Sequence, residues 1–125
     1  MFEDLQQKTV LVTGGAQGIG RGIVQELLTL GMNVAFVDLD REAGDEVVND
    51  SKNENLLFIA MNVTHPTEVE NAVKQTVDRF RGLHGLVNNA GIARPVTGPL
   101  EDVAVEDWER YIQTNLTGYF LFAKY

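Results

Sequence analysis

Short apolar runs and stretches of helical periodicity alternate along this chain from one end to the other. The apolar runs predict strands near residues 8–13, 33–38, 56–61 and 85–88. The periodic stretches predict helices near 18–30, 41–50, 66–81 and 106–124. The third helix has the clearest face, with Val69, Ala72, Val73, Thr76, Val77 and Phe80 along one side. It opens at Pro66, whose missing N–H leaves nothing unpaired in a first helical turn, and Gly82 supplies a stop. Strands and helices in strict alternation imply right-handed βαβ units. The fold class expected is α/β, a parallel sheet in the order 3-2-1-4 with helices on both faces. Its ligand crevice falls where the strand order reverses, beside Gly14. The longest loop runs from Gly91 to about Val103, contains Pro95 and Pro99, and follows a strand's carboxyl end.

Composition narrows the setting. The 125 residues make one small domain, 1–125, with 44% apolar and 22% charged residues. The net charge of −8 is spread without blocks, which argues against nucleic acid or an anionic membrane as partner. Without cysteine there are no disulfides, thiol catalysis or cysteine metal sites. The acidic start Met1-Phe2-Glu3-Asp4 is no signal peptide, and no apolar run approaches the ~18 residues of a membrane helix, so a cytoplasmic location is expected. His65 and His84 lie at unrelated places and suggest no metal site; His65 is expected to cap the helix opened by Pro66, and His84 to lie in a surface loop.

The first strand, Val10-Leu11-Val12-Thr13, breaks into Gly14-Gly15-Ala16-Gln17-Gly18-Ile19-Gly20, and an amphipathic helix follows at once. Strand, glycine turn and helix build a phosphate socket: glycines let the backbone approach the anion, and the first helical N–H groups point at it. No Gly-Lys-Ser/Thr follows, which disfavours a nucleoside triphosphate loop and leaves a dinucleotide as the guest. A plain glycine-rich surface turn is the alternative. Asp38 closes the second strand 18 residues after Gly20, near the separation of about 20 at which an acid meets the adenosine ribose. A carboxylate there accepts from both ribose hydroxyls and repels a 2′-phosphate, favouring NAD over NADP; the alternative is an ordinary helix N-cap.

Two asparagine-bearing stretches complete the candidates. Asn88-Asn89-Ala90-Gly91 follows the fourth strand, where small residues admit a cofactor and amides can tie neighbouring strands. Asn115 falls inside the last helix on the stripe of Trp108, Tyr111, Ile112, Tyr119 and Phe120, a costly core position for an amide unless satisfied. Bonding to a local carbonyl is the alternative.

These elements together resemble the short-chain dehydrogenases/reductases. Thr13-Gly14-Gly15-Ala16-Gln17-Gly18-Ile19-Gly20 is similar to that family's Thr-Gly-x3-Gly-x-Gly signature, and Asn88-Asn89-Ala90-Gly91 to its Asn-Asn-Ala-Gly element. Asn115 matches its helix asparagine, and Asp38 the acid of its NAD-preferring members. The resemblance implies a Rossmann-type fold. It implies that Gly14, Gln17, Gly18, Ile19 and Gly20 hold the pyrophosphate, Asp38 the adenosine ribose, and Asn62 and Val63 the adenine. Asn89, Ala90 and Gly91 then line the nicotinamide-side ribose. Where the family usually has Asp, this chain has Asn62, whose amide is expected to accept from the adenine amino group instead.

The family's chemistry uses a Ser, and a Tyr-x3-Lys pair whose Lys is linked to solvent by a water that Asn115 would support. None of the three is found here: Ser51 is the last serine, and Tyr119 and Lys124 are five apart, roughly 140° around a helix. The ending Phe120-Leu121-Phe122-Ala123-Lys124-Tyr125, inside an apolar helix, is expected to be a truncation before later strands. The expected function is the NAD-binding half of an oxidoreductase that moves hydride between nicotinamide and a small alcohol or carbonyl, inactive alone. The alternative is a non-catalytic nucleotide-binding or assembly module, completed by a second chain or by self-association. Either leaves the apolar last helix awaiting a neighbour, in a homo-oligomer or with a complementary chain.

Overall fold

A computed structural model describes residues 2–93 and 98–125. Pro95, in the long loop, and Met1 lie outside the described residues. Four parallel strands, β1 (Thr9–Thr13), β2 (Asn33–Asp38), β3 (Leu56–Ala60) and β4 (Gly85–Val87), form one sheet in the order β3-β2-β1-β4. Helices α1 (Gly18–Thr29), α2 (Arg41–Ser51) and α3 (Pro66–Phe80) connect them. The last helical segment is α4 (Val105–Ile112), a π-helical turn (Gln113–Thr117) and α5 (Gly118–Lys124).

The strands read as unbroken apolar runs because both faces of the sheet are covered. Val10 and Val12 of β1, with Val34 and Phe36 of β2, face one core that includes Val24 of α1 and Val47 of α2. Leu11, Ala35 and Val37 face the other, packed on Val69 and Ala72 of α3 and on Leu121 and Phe122 of α5. Alternate residues of one strand thus serve opposite cores. In the first core Phe36 stacks on Phe58 of β3, ring centroids 4.8 Å apart, and α2 approaches Phe58 at Gly44, where a Cβ would fall 2.1 Å from the ring.

Three local expectations need correction. The left-handed residue ending α3 is Arg81, at φ 66°, with its N–H on the carbonyl of Val77; Gly82 comes one position later. His65 occupies the N-cap position of α3 without its side chain capping the helix; Nδ1 lies 2.9 Å from Glu68 Oε1 instead. His84 lies in an exposed loop, as expected, and adds a tie there: its Nδ1 accepts the backbone N–H of Thr9 at 3.0 Å, and its own N–H donates to the carbonyl of Thr9. It prolongs the β1–β4 ladder by one side-chain bond.

The third correction concerns the last helix, which runs on as expected but not with α-helical bonding throughout. The π-helical turn falls on Gln113–Thr117, around Asn115. Beyond it, Gly118, Leu121 and Phe122 are buried at i, i+3 and i+4, while Trp108 and Phe120 of the expected stripe are 57% and 60% exposed. Gly118 belongs to that face: a Cβ there would stand 3.2 Å from the carbonyl oxygen of Val63, so the glycine admits a close approach to the segment after β3.

Candidate functional site

At the carboxyl ends of the four strands lies a cleft of about 590 Å³. It is built from the turn after β1, the end of β2, the segment after β3, the segment after β4 and the α4–π junction. This is the crevice beside Gly14 that the strand order places at the reversal point.

The glycine turn is pinned to β2, with Gly14 N–H donating to the carbonyl of Val37 at 2.8 Å. Close packing decides its composition. A Cβ on Gly20 would fall 1.9 Å from the carbonyl oxygen of Gly14, and one on Gly14, at φ 68°, would fall 2.9 Å from Cα of Ala90. The turn and the β4 end therefore meet backbone to backbone. Among the described residues no side chain caps the start of α1, whereas Asp40 caps α2 through Ala43 N–H at 3.0 Å. Uncapped N–H groups at the start of a helix facing a cleft are anion donors.

Asp38 is not the N-cap, since Asp40 holds that role. One carboxylate oxygen of Asp38 accepts from Ala16 N–H and the other from Asp40 N–H, each at 3.0 Å. Each oxygen retains a lone pair for a ligand. The nearest cation of α1, Arg21, is engaged by Glu46 and Asp50 on the outer surface, at 3.3 and 2.9 Å.

Thr13 and Asn89 join β1 to the segment after β4. Thr13 Oγ1 accepts from both Asn89 N–H at 3.0 Å and Ala90 N–H at 2.9 Å. Asn89 Nδ2 donates to the carbonyls of Thr13 and Gly14, both at 3.1 Å. The amide ties neighbouring strand ends, as the small-residue motif suggested. Asn88 turns the other way, with Nδ2 3.4 Å from the carbonyl of Tyr119 and Oδ1 buried without a partner among the described residues.

Beyond β3, Asn62 makes a closed turn. Its Oδ1 accepts from the N–H and the hydroxyl of Thr64, at 2.9 and 2.7 Å. That corrects the expectation that this oxygen is free for an adenine amino group, because two donors already occupy its two lone pairs. Asn62 N–H donates to Glu68 Oε2 at 2.8 Å, and the His65 ring and this N–H together hold the Glu68 carboxyl below its ordinary value.

Asn115 is exposed rather than set in the core. Its side chain pairs with the backbone of Ile92, Oδ1 accepting from the N–H at 2.9 Å and Nδ2 donating to the carbonyl at 3.0 Å. The partner is 23 residues away, so a local carbonyl is not the explanation.

Gly14, Gln17, Ile19, Gly20, Asp38, Asn62, Val63, Asn89, Ala90 and Gly91 line the cleft. Gly18 and Asn115 do not; Asn115 is hydrogen-bonded to Ile92, which does. Sequence reasoning missed the apolar Leu39, Met61 and Ile92 and the polar Thr64, Arg110, Gln113 and Thr114. The Asn-x-Thr spacing of Asn62 and Thr64 was the readable signal for Thr64. Arg110 and Thr114 share a helix face, but nothing in the pattern said that this face overlooks the cleft.

The family model described as short chain dehydrogenase matches residues 8–125. The chain belongs to that family. Short-chain dehydrogenase relatives include the 2,5-dichloro-2,5-cyclohexadiene-1,4-diol dehydrogenase of Sphingobium indicum, 42% identical over 99% of this chain and 49% of the relative. A 3-alpha-(or 20-beta)-hydroxysteroid dehydrogenase of Mycobacterium bovis is 40% identical over 91% of this chain and 43% of its own length. Among solved structures, a 3-ketoacyl-(acyl-carrier-protein) reductase from Brucella melitensis complexed with NADH superposes with a TM-score of 0.90. It is 28% identical, over 96% of this chain and 49% of that one. A short-chain dehydrogenase/reductase from the same organism gives a TM-score of 0.91 at 31% identity, over 99% of this chain and 52% of its own. The chain spans about half the length of the curated relatives it matches.

Proposed function

We propose that residues 1–125 form the NAD-binding half of a short-chain dehydrogenase/reductase. One relationship carries the reading: the sheet order β3-β2-β1-β4 places Asn62, Asp38, the glycine turn and Asn89–Gly91 in that sequence along the cleft. A dinucleotide laid across these ends meets them as base, ribose, pyrophosphate and nicotinamide riboside. Backbone N–H groups at the start of α1 take the pyrophosphate, which suits a chain whose net charge is −8. Asp38, held by Ala16 and Asp40, accepts from the adenosine ribose and repels a 2′-phosphate, so NAD is the preferred form.

The cofactor supplies hydride transfer at nicotinamide C4 to or from a carbonyl carbon. The residues of this chain bind and orient it. Thr13 and Asn89 hold the nicotinamide-side floor, and Asn115, through Ile92, holds the segment leading from it. By the family resemblance, Ser and Tyr-x3-Lys come from elsewhere in a whole enzyme, and these residues alone bind without turnover. The test is a fluorescence titration with NADH and NADPH. NADH binds at least about tenfold more tightly, and Asp38→Ser brings the two within about threefold, a change typical of one charged contact. Equal affinities in the unaltered protein contradict the assignment to NAD.

A second reading, a docking or assembly module, draws on the exposed Trp108, Leu116 and Phe120 and on β4, which pairs on one side only among the described residues. Light scattering separates the two: a dilute monomer that binds NADH removes the need for it.

A further inference from the structure

Gln17 stands at the N-cap position of α1, yet its side chain does not cap that helix. It reaches the segment after β2 instead, with Nε2 donating to Asp40 Oδ2 at 3.0 Å. Asp40 is engaged elsewhere as well: Oδ1 caps α2 through Ala43 N–H, and its own N–H donates to Asp38 Oδ1. Asp38 Oδ2 accepts from Ala16 N–H. Two rungs therefore join the glycine turn to the segment after β2, one from residue 16 to residue 38 and one from residue 17 to residue 40. Leu39, between Asp38 and Asp40, is 74% exposed, so apolar packing does little to hold this segment in place.

We propose that Gln17 and Asp40 form a clasp that positions Asp38, and through it sets how strongly the cleft selects the sugar hydroxyls of the dinucleotide. The inference rests on the dinucleotide reading above, in which Asp38 meets the adenosine ribose. Asp40 N–H holds one of the two Asp38 carboxylate oxygens, so the aim of that oxygen follows the placement of Asp40. The clasp fixes Asp40 to the glycine turn directly, independently of Asp38. Its bond is charge-assisted, but both partners are exposed, so it adds little to global stability and its consequence is local. A carboxylate already aimed at the ribose binds it without first being ordered; a loosened one is ordered only at the cost of affinity. Gln17 and Asp40 act through Asp38 and are positioning residues.

The experiment compares dissociation constants of NADH and of its analogue lacking the 2′-hydroxyl of the adenosine ribose, read by nicotinamide fluorescence. Their ratio isolates the sugar contact, because base, pyrophosphate and nicotinamide are common to both. The analogue binds the unaltered protein about fivefold or more weakly, the net effect of one hydrogen bond to a charged group. Gln17→Met keeps the length of the side chain and loses the donor; it lowers that ratio by about threefold or more, with the urea midpoint nearly unchanged. Gln17→Glu, a like charge facing Asp40, lowers it too. Adding Asp40→Asn to Gln17→Glu reverses the clasp, amide donating to carboxylate, while its oxygen keeps the cap on Ala43. The ratio then returns to within about twofold of the unaltered one, a recovery that a merely structural role would not give. A ratio that holds in Gln17→Met and Gln17→Glu while NADH binds, or that the added Asp40→Asn does not restore, overturns the proposal and leaves the cofactor reading intact. Equal affinities of the unaltered protein for the two dinucleotides, or no saturable binding of NADH, overturn the ribose assignment along with it.

Discussion

Asn115 closes a two-bond ring on the backbone of Ile92, accepting from its N–H at 2.9 Å and donating to its carbonyl at 3.0 Å. The ring joins the π-helical turn to the segment after β4, and so couples the helix to one wall of the cleft. A π turn disrupts the regular helical ladder, and such turns recur at functional sites. Asn115→Asp keeps the acceptor and loses the donor. The expected cost in urea unfolding is about 1 kcal/mol, the net worth of one hydrogen bond, with a larger proportional loss in NADH affinity.

Thr13 is the corresponding tie on the other side of the cleft. Thr13→Val leaves Asn89 N–H and Ala90 N–H without the oxygen they share. Unfolding free energy should fall by about 2 kcal/mol, since both donors are part-buried. Thr13→Ser, which retains the hydroxyl, should lose less than half of that.

Gly20→Ala tests the backbone contact in the glycine turn. The added Cβ would sit 1.9 Å from the carbonyl oxygen of Gly14, a distance that backbone movement alone can relieve. The expected result is destabilisation by about 3 kcal/mol or more and loss of NADH binding. Gly22→Ala, on the same helix with open space at its Cβ, should stabilise slightly and bind normally.

Much of this architecture was legible from the chain itself. Parallel strands covered on both faces appear as unbroken apolar runs, so Val10–Thr13 and Val34–Val37 announced themselves, and the βαβ alternation set the strand order. The glycine turn was readable because its spacing reflects backbone contacts that no other residue permits. The π turn was not, because apolar stripes tolerate one added residue, and Gly118 meeting Val63 is a tertiary event. Nor was His84 on Thr9 or Asn115 on Ile92, since side-chain-to-backbone bonds across 75 and 23 residues leave no local pattern. Asn62 stood out in the sequence, but the engagement of its Oδ1 depended on Thr64.

The Glu68 carboxyl links this turn to pH. The His65 ring and Asn62 N–H hold its folded-state value below the ordinary 4.5. A depressed value means that the contribution to stability is present above the unfolded value and is lost as pH falls through the folded one. Denaturation midpoints should therefore drop on acidification below pH ~4.5, and drop less in Glu68→Gln, as a urea series between about pH 6 and pH 3 would record.

The central claim, that a dinucleotide lies across the carboxyl ends of β3, β2, β1 and β4, is most directly tested by amide chemical shifts during an NADH titration. The account predicts saturable shifts concentrated in four segments: Gly14–Gly20, Asp38–Leu39, Asn62–Thr64 and Asn89–Ile92, with the outer face of α2 unmoved. Shifts that leave Asp38 and the glycine turn untouched, or that gather on α2 or α5, would contradict it.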